Sequence, residues 1–371
     1  MSQPSPRARQ WAETMHGHAP EGDGIVHAHR EALASVAAGD PIGREAREER
    51  EAAYLRVGAT RAFGAGDRVM QEAPDVERTC FERDRDRIVH STAFRRLAGK
   101  TQVVVFPTDH QRTRLTHALE VAQVATSIAR GVGANIALTD AIALGHDCGH
   151  GPGGHASEDA FDAFLPEGYD HGPWGADVVL TGLNLCSQTL DGIRNHSWSR
   201  PAPVTLEGEI VSWADRIAYC AHDLEDAVHA GIVEESDVPR EVAMVAGVGR
   251  REQLGTFIRA VVAATCASGR VGMDATTASA LARLRAFNYE RIYTRPASLA
   301  QSRAVVEVLQ GLVEHYIGHP DVLPRDYRDD DVARAAVTYV GGMTDRFAFD
   351  TAIELLGYDP MRLPQGIGLA R

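Results

Sequence analysis

Cysteine is scarce and unpaired in this sequence. The 371 residues hold five, Cys80, Cys148, Cys186, Cys220 and Cys266, with no CxxC pair among them. An odd, scattered set excludes a disulfide framework and a thiolate zinc knuckle, so reduced, buried thiols are expected. Long apolar runs are missing too: none approaches the ~18 residues of a bilayer-crossing helix, and Met1-Ser2-Gln3-Pro4-Ser5-Pro6 lacks a signal peptide's apolar stretch. No membrane partner and a cytoplasmic location are therefore expected. Positive charge is in deficit, with 38 Lys and Arg against 51 Asp and Glu, a formal net charge of −13. Such a surface repels phosphate backbones, so double-stranded nucleic acid is not an expected partner, and an anionic ligand needs a local basic pocket or a metal. Hydrophobic residues at 44% and charged ones at 24% are ordinary for a folded chain, which sets aside disorder, collagen and coiled coil.

What stands out is histidine, sixteen in all. Imidazole is the commonest metal ligand and titrates near neutrality, so the placement of these residues decides their meaning. His16, His18, His27 and His29 fall in a Pro-, Gly- and Ala-rich stretch from Met1 to about Pro41 that has no clear period and reads as a flexible arm. A ligand set needs a rigid frame, so these four read as solvated. Gly43–Leu55 alternates charge at i, i+4 spacing, as a short exposed helix does. Beyond Arg83 the helical period dominates, and the fold class is mostly α. The spacing predicts helices at Arg87–Leu97, Arg114–Val132, Thr139–Asp147, Thr205–His229, Arg251–Ala267, Ala275–Ile292, Ser298–Ile317 and Asp331–Leu356. Gln102–Phe106 (QVVVF) alone looks like a strand, half of a small β-hairpin. Two glycine-dense stretches, Gly149–Gly154 and Gly168–Gly175, carry histidines and are candidate site loops. The expected division is an arm over residues 1–60, a core over 61–235 and a helical C-terminal region over 236–371.

The sharpest chemical signal is the pair His146-Asp147, which ends an apolar helix. Desolvating a carboxylate costs several kcal/mol unless a cation or donors take its charge, so something must compensate it there. His117 interrupts an Ala-, Leu- and Val-rich stretch, and Asp215 interrupts another apolar helix. Singly, each reads as a hydrogen-bonded core residue. Together, two imidazoles and two carboxylates on three helices suit one divalent cation in a mixed nitrogen and oxygen field, from the set Mn, Mg, Fe, Co or Ni. Four protein ligands leave positions open for chemistry.

These residues sit in motifs that resemble the HD-domain phosphohydrolases, and within them the bacterial dGTPase-like deoxynucleoside triphosphate triphosphohydrolases. The resemblance rests on segments from Glu82 to Val103, Asp109 to Ala125, Ala141 to Phe161, Val211 to Ala227 and Gly341 to Ala348, in collinear order over roughly Arg78 to Leu356. It implies an HD-domain helical bundle. It also implies hydrolysis of dNTPs at the α-phosphate to deoxynucleoside and inorganic triphosphate, with His117, His146, Asp147 and Asp215 as metal ligands. His155 and Glu158 match the family's catalytic His and acid, and their i, i+3 spacing puts both on one helix face. His171 matches a further His near the attacking water or α-phosphate, and His150 a phosphate contact. Arg114, three residues before His117, is placed for bidentate phosphate binding. Tyr219 and Asp223 follow Asp215 on one helical stripe, where the family contacts deoxyribose, the Asp at the 3′-hydroxyl and the Tyr where a 2′-hydroxyl would sit. Gln102 is a candidate for sugar or base contact and Arg216 for phosphate. The resemblance also implies a homo-oligomer, dimer or hexamer. Gly153 and Gly172 depart from the family, which places a bulky aromatic and an Asn there.

Two other readings keep the site and change its use. One is another HD-type phosphohydrolase: a 5′-nucleotidase, a cyclic-nucleotide phosphodiesterase or a (p)ppGpp hydrolase. The Asp215, Tyr219 and Asp223 stripe and the long helical C-terminal region favour dNTPs over these. The other is a nucleotide sensor without turnover, against which the His155 and Glu158 pair speaks.

Overall fold

A computed structural model describes residues 4–18, 24–31, 33–103, 105 and 111–364. The chain divides into two compact units, Met1–Ile42 and Gly43–Arg371. In the first, Ser5 caps a short helix, Pro6–Glu13, whose opening proline has the preset φ that suits a helix start. Beyond that helix and the turn that follows it, an isolated antiparallel bridge joins His18 and His27. None of its described histidines falls in a group spaced to hold a metal.

The second unit is helical. The helices that build its core are α1 Cys80–His90, α2 Arg114–Val132, α3 Ile136–Gly145, α4 Ala156–Phe161, α5 Ser187–Asn195, α6 Leu206–His229, α7 Arg250–Ser268, α8 Ala275–Asn288, α9 Pro296–Gly318, α10 Val332–Gly341 and α11 Asp345–Leu356. Local chemistry fixes their ends. Thr79 and Glu82 form a reciprocal capping box on α1, the Asn135 side chain accepts from Ala137 and Leu138 N–H at the start of α3, and Gly133 closes α2 at φ 83°. The segment read as one helix from Asp331 to Leu356 is two, because the backbone turns at Gly342 and Thr344 starts a new helix by accepting from Phe347 N–H. Helix α5 was not anticipated from the sequence.

Two apolar clusters hold the unit together. The first joins α1, α2, α3, α5 and α6 with α7 and α8 through residues such as Ile88, Val121, Ile142, Ile193, Ile217 and Phe257. The second joins α4, α9, α10 and α11 through Phe161, Val305, Leu309, Leu312, Val340 and Phe349. Each fully buried side chain of this size contributes about 1.5–3 kcal/mol, enough to settle where the helices pack.

The expected β-hairpin is not seen. Among the described residues there is no strand; near this segment there is an isolated antiparallel bridge between Thr101 and Thr113, while Gln102, Val103 and Val105 lie in bends. Val104 and residues 106–110 lie outside the described residues. The reason is tertiary: Val103 packs on the first cluster and Val105 joins the second, so the β-branched run finds helices to bury against rather than a partner strand. All five cysteines are free, and Cys148, Cys186 and Cys220 are buried as expected; Cys80 is half-buried and Cys266, on α7, is exposed. No helix among the described residues is long and apolar enough to cross a membrane.

Candidate metal centre and active site

A cavity of about 480 Å³ opens where the two clusters meet, within the range of small-molecule sites. Its wall includes Val105, Ala156 and Val305 from the second cluster and Val103, Tyr219 and Tyr293 from the edge of the first.

His117 from α2, His146 and Asp147 from the end of α3, and Asp215 from α6 converge at one end. His117 Nε2 is 3.0 Å from Asp215 Oδ1, and His146 Nε2 is 3.7 Å from Asp215 Oδ1 and 3.4 Å from Asp147 Oδ1. The Nδ1–H of His146 donates to Ala143 O at 2.6 Å, which leaves Nε2 as a lone pair, buried and without a hydrogen-bond partner. Burial works to raise the Asp147 carboxyl, but Arg114 and His146 hold it well below the usual carboxylate range; Asp215 is likewise held low by His117 and His146. Two ionised carboxylates and an orphaned imidazole nitrogen, buried together, fit a divalent cation with mixed nitrogen and oxygen ligands.

Of the site residues expected from sequence, Gln102, Arg114, His117, Asp147, His150, His155, His171, Asp215, Arg216, Tyr219 and Asp223 line this cavity, while His146 and Glu158 stand behind the lining. Glu158 lies one turn into α4 and binds two histidines: Oε2 meets His155 Nδ1 at 3.0 Å, and Oε1 meets His171 Nδ1 at 2.7 Å and accepts from its backbone N–H at 3.1 Å. Burial opposes the charge on Glu158, yet these two imidazoles hold its carboxyl far below the ordinary value. His155 stands 74% exposed at the cavity mouth, whereas His150 and His171 are buried and stack at 3.8 Å. Neither ring nitrogen of His150 has a hydrogen-bond partner.

Arg114 is less free than expected. Its Nη1 donates to Asp147 Oδ2 at 2.6 Å and so orients that carboxylate, while Nε and Nη2 remain buried without partners in the cavity wall. Arg216 lies 3.4 Å over the Trp198 ring, whose indole N–H is held by Ser212 O, and its Nε is unpartnered. Gln102 lines the wall with an unpartnered Oε1.

The far end of the cavity differs. Asp223 accepts from Arg112 and from the Tyr293 hydroxyl, and Arg112 also pairs with Glu120 at 3.1 Å and Asp226 at 2.8 Å. Tyr219 Oη accepts from Arg285 at 2.8 Å.

The glycine-dense stretches pack backbone to backbone. A Cβ on Gly149 would sit 2.0 Å from His171 O and 2.5 Å from Gly175 N. Gly153, at φ 72°, leaves only 2.3 Å between an added Cβ and Val305 Cγ1, which explains why no aromatic occupies it here.

Sequence reasoning missed three residues that support the site. His196, just past the end of α5, is buried with its Nε2 3.1 Å from His171 Nε2. Lys100, the only lysine in the chain, is buried and donates to His150 O and to Gly341 O at 3.0 Å. Asp345, at the start of α11, accepts from Gly153 N–H at 2.8 Å and from the backbone and hydroxyl of Thr101. Asp345 lies in the Gly341–Ala348 motif already noted, so its signal was present without a role; His196 and Lys100 sit in polar stretches with no apolar pattern to betray burial.

Comparison with known proteins gives two family matches. The family described as HD domain matches residues 114–220, and the one described as phosphohydrolase-associated domain matches residues 271–353. A deoxyguanosinetriphosphate triphosphohydrolase-like protein of Caldanaerobacter subterraneus subsp. tengcongensis is 38% identical over 332 residues, spanning 86% of this chain and 96% of its own length. A similarly named protein of Clostridium perfringens is 39% identical over 295 residues, spanning 74% of this chain and 86% of its own. Another, of Deinococcus radiodurans, is 36% identical over 367 residues, spanning 84% and 98%. With an HD match over the candidate metal centre and relatives of this kind along most of its length, the chain belongs to the deoxyguanosinetriphosphate triphosphohydrolase-like family of HD-domain phosphohydrolases.

Proposed function

We propose that the protein hydrolyses deoxynucleoside triphosphates at the α-phosphate, releasing deoxynucleoside and inorganic triphosphate. The observation that carries this reading is the concentration of unsatisfied buried groups at one end of the cavity: His146 Nε2, both nitrogens of His150, and Nε and Nη2 of Arg114. A buried polar group without a partner costs about 1–3 kcal/mol, so five together mark a place kept for a cation and an anionic substrate. His117, His146, Asp147 and Asp215 would hold one divalent ion of the Mn, Mg, Fe, Co or Ni set, which supplies Lewis-acid polarisation of a phosphoryl oxygen when bound.

The chain's own residues do the rest. Arg114 and Arg216 offer free guanidinium donors to the phosphates, and His150 adds a buried imidazole. Glu158 accepts the Nδ1 proton of His155, which fixes the tautomer and leaves Nε2 as the base that takes a proton from water. The water oxygen bonds to the α-phosphorus, the bond from phosphorus to the 5′-oxygen breaks, and the proton ends on that oxygen as the nucleoside hydroxyl. Tyr219 and Asp223 line the sugar end. Assembly as a homo-oligomer belongs to the same proposal and is read by sedimentation.

The test is incubation of the purified chain with Mn²⁺ and each dNTP, with the phosphate products resolved by ion exchange. Release of triphosphate is expected. Orthophosphate or a nucleoside monophosphate would move the protein to another HD-type reaction, and no product would make it a sensor.

A further inference from the structure

Among the described residues, three arginines line the cavity, and they are held in different ways. Arg114 donates to Asp147 and Arg285 to the Tyr219 hydroxyl, so each spends part of its fork inside the protein. Arg216 donates to no acceptor among the described residues, and its Nε is buried without a partner. Its guanidinium carbon stands 3.4 Å from the centre of the Trp198 ring instead. The two kinds of hold differ chemically. A carboxylate holds an arginine by taking its N–H donors and so competes with any phosphate for them. An aromatic face attracts the cation and leaves the five donors, which lie in the guanidinium plane, unspent.

The ring is itself fixed. Trp198 lies just after α5 on a turn closed by Arg200 N–H, which donates to Ser197 O at 3.0 Å. Its indole N–H donates to Ser212 O at 3.0 Å. Ser212 stands one turn of α6 before Arg216, so the anchor of the ring and the cation it carries share one helix face. Trp213 meets the ring edge to face, with centres 4.7 Å apart. Yet Trp198 is 46% exposed and belongs to neither apolar cluster. Core packing therefore does not account for an indole held at these points, whereas the arginine over its face does.

We propose that Trp198 is a positioning residue, holding the Arg216 guanidinium at the cavity wall with its donors free for the anionic oxygens of a polyphosphate. This rests on the reading, made above, that Arg216 meets the substrate's phosphates. Trp198 acts only through Arg216. The ring fixes where the charge stands before the anion arrives, so less side-chain freedom is lost on binding.

The test is calorimetry of the full-length chain in Mn²⁺ with inorganic triphosphate, which reads binding without turnover. Trp198→Leu, apolar but without an aromatic face, should weaken binding about five- to tenfold, and Trp198→Phe, which restores the face, should recover most of that loss. Trp198→Gln carries the same expectation as Trp198→Leu and replaces it if its circular dichroism departs from the parent's. Arg216→Gln should weaken binding at least as much. The double variant Trp198→Leu, Arg216→Gln should be no worse than Arg216→Gln alone, because the ring has no cation left to hold. With a dNTP, KM should rise in Trp198→Leu while kcat stays within about twofold of the parent. Four results overturn the positioning role: triphosphate bound as tightly without the ring, losses that multiply in the double variant, a Phe variant as weak as the Leu one, or a fall in kcat with KM unmoved. A parent that binds no triphosphate overturns it as well. The expected binding pattern in a chain that releases no triphosphate from dNTPs leaves the positioning role standing and overturns only the proposed reaction.

Discussion

The two ends of the cavity are built on opposite principles. At the histidine end, polar atoms are buried and left wanting: His146 Nε2, both nitrogens of His150 and two donors of Arg114 have no partner. At the tyrosine end, the corresponding groups are answered by the protein itself, Asp223 by Arg112 and Tyr293, and Tyr219 by Arg285. Unmet buried polar groups are costly, and clustered in a cavity they mark where a ligand can meet them, whereas a self-satisfied network is rigid before anything binds. The first end is therefore arranged for chemistry and the second for shape, and substitutions at the two ends should differ in what they change.

The largest effect belongs to the first. His146→Ala removes the orphaned nitrogen, and bound metal and turnover should fall together, turnover by about 10³-fold or more. His155→Ala is the sharper comparison at the same end. His155 is exposed and touches only Glu158 among the acids, so metal content should stay at the parent level while kcat drops about 10²- to 10⁴-fold. Metal analysis beside steady-state kinetics checks both, and equal loss of metal in the two variants would break the division of roles.

How much of this was legible beforehand follows from where each signal lay. Helix α2 runs from Arg114 to Val132 as the apolar stripe predicts, since Thr113 and Gly133 bracket it. His117, His146, Asp147 and Asp215 were visible because each interrupts an apolar helix, a local contradiction that needs an outside cause. His196 offered no such contradiction. It ends α5, whose polar sequence SQTLDGIRN hides the fact that neighbouring helices bury one face. The QVVVF run misled for the reverse reason: its β propensity is real, but the two clusters claim Val103 and Val105. Local pattern reports what a segment prefers, and burial by distant elements decides what it gets.

Lys100 gives a third, smaller effect, one felt beneath the histidine end. Its Nζ ties His150 O to Gly341 O, and burial pushes its pKa from 10.5 down to about 8. Below pH 8 the ammonium is charged in both folded and unfolded chains, and the folded state bears the full burial penalty. Between about 8 and 10.5 the unfolded chain still binds a proton that the folded one has released, so stability rises with pH. Relative to Lys100→Met, which cannot titrate, the parent should gain ~3 kcal/mol across that window in urea unfolding. Parallel curves for the two would mean that Lys100 stays fully charged in the fold.

The smallest expected effect tests whether the tyrosine end is indeed about fit. Asp223→Asn keeps the shape of the side chain and can still accept from Tyr293, and Arg112 retains Glu120 and Asp226, so the fold should survive with little loss. What changes is the charge and the angle at which the group meets a sugar hydroxyl. KM for a dNTP should rise about tenfold, near 1.4 kcal/mol, with kcat moved much less. Tyr293→Phe frees one oxygen of Asp223 without touching its charge, and should raise KM by a smaller factor. If either substitution instead lowered kcat as His155→Ala does and left KM alone, the network around Asp223 would belong to the reacting centre, and the contrast between the two ends would fail.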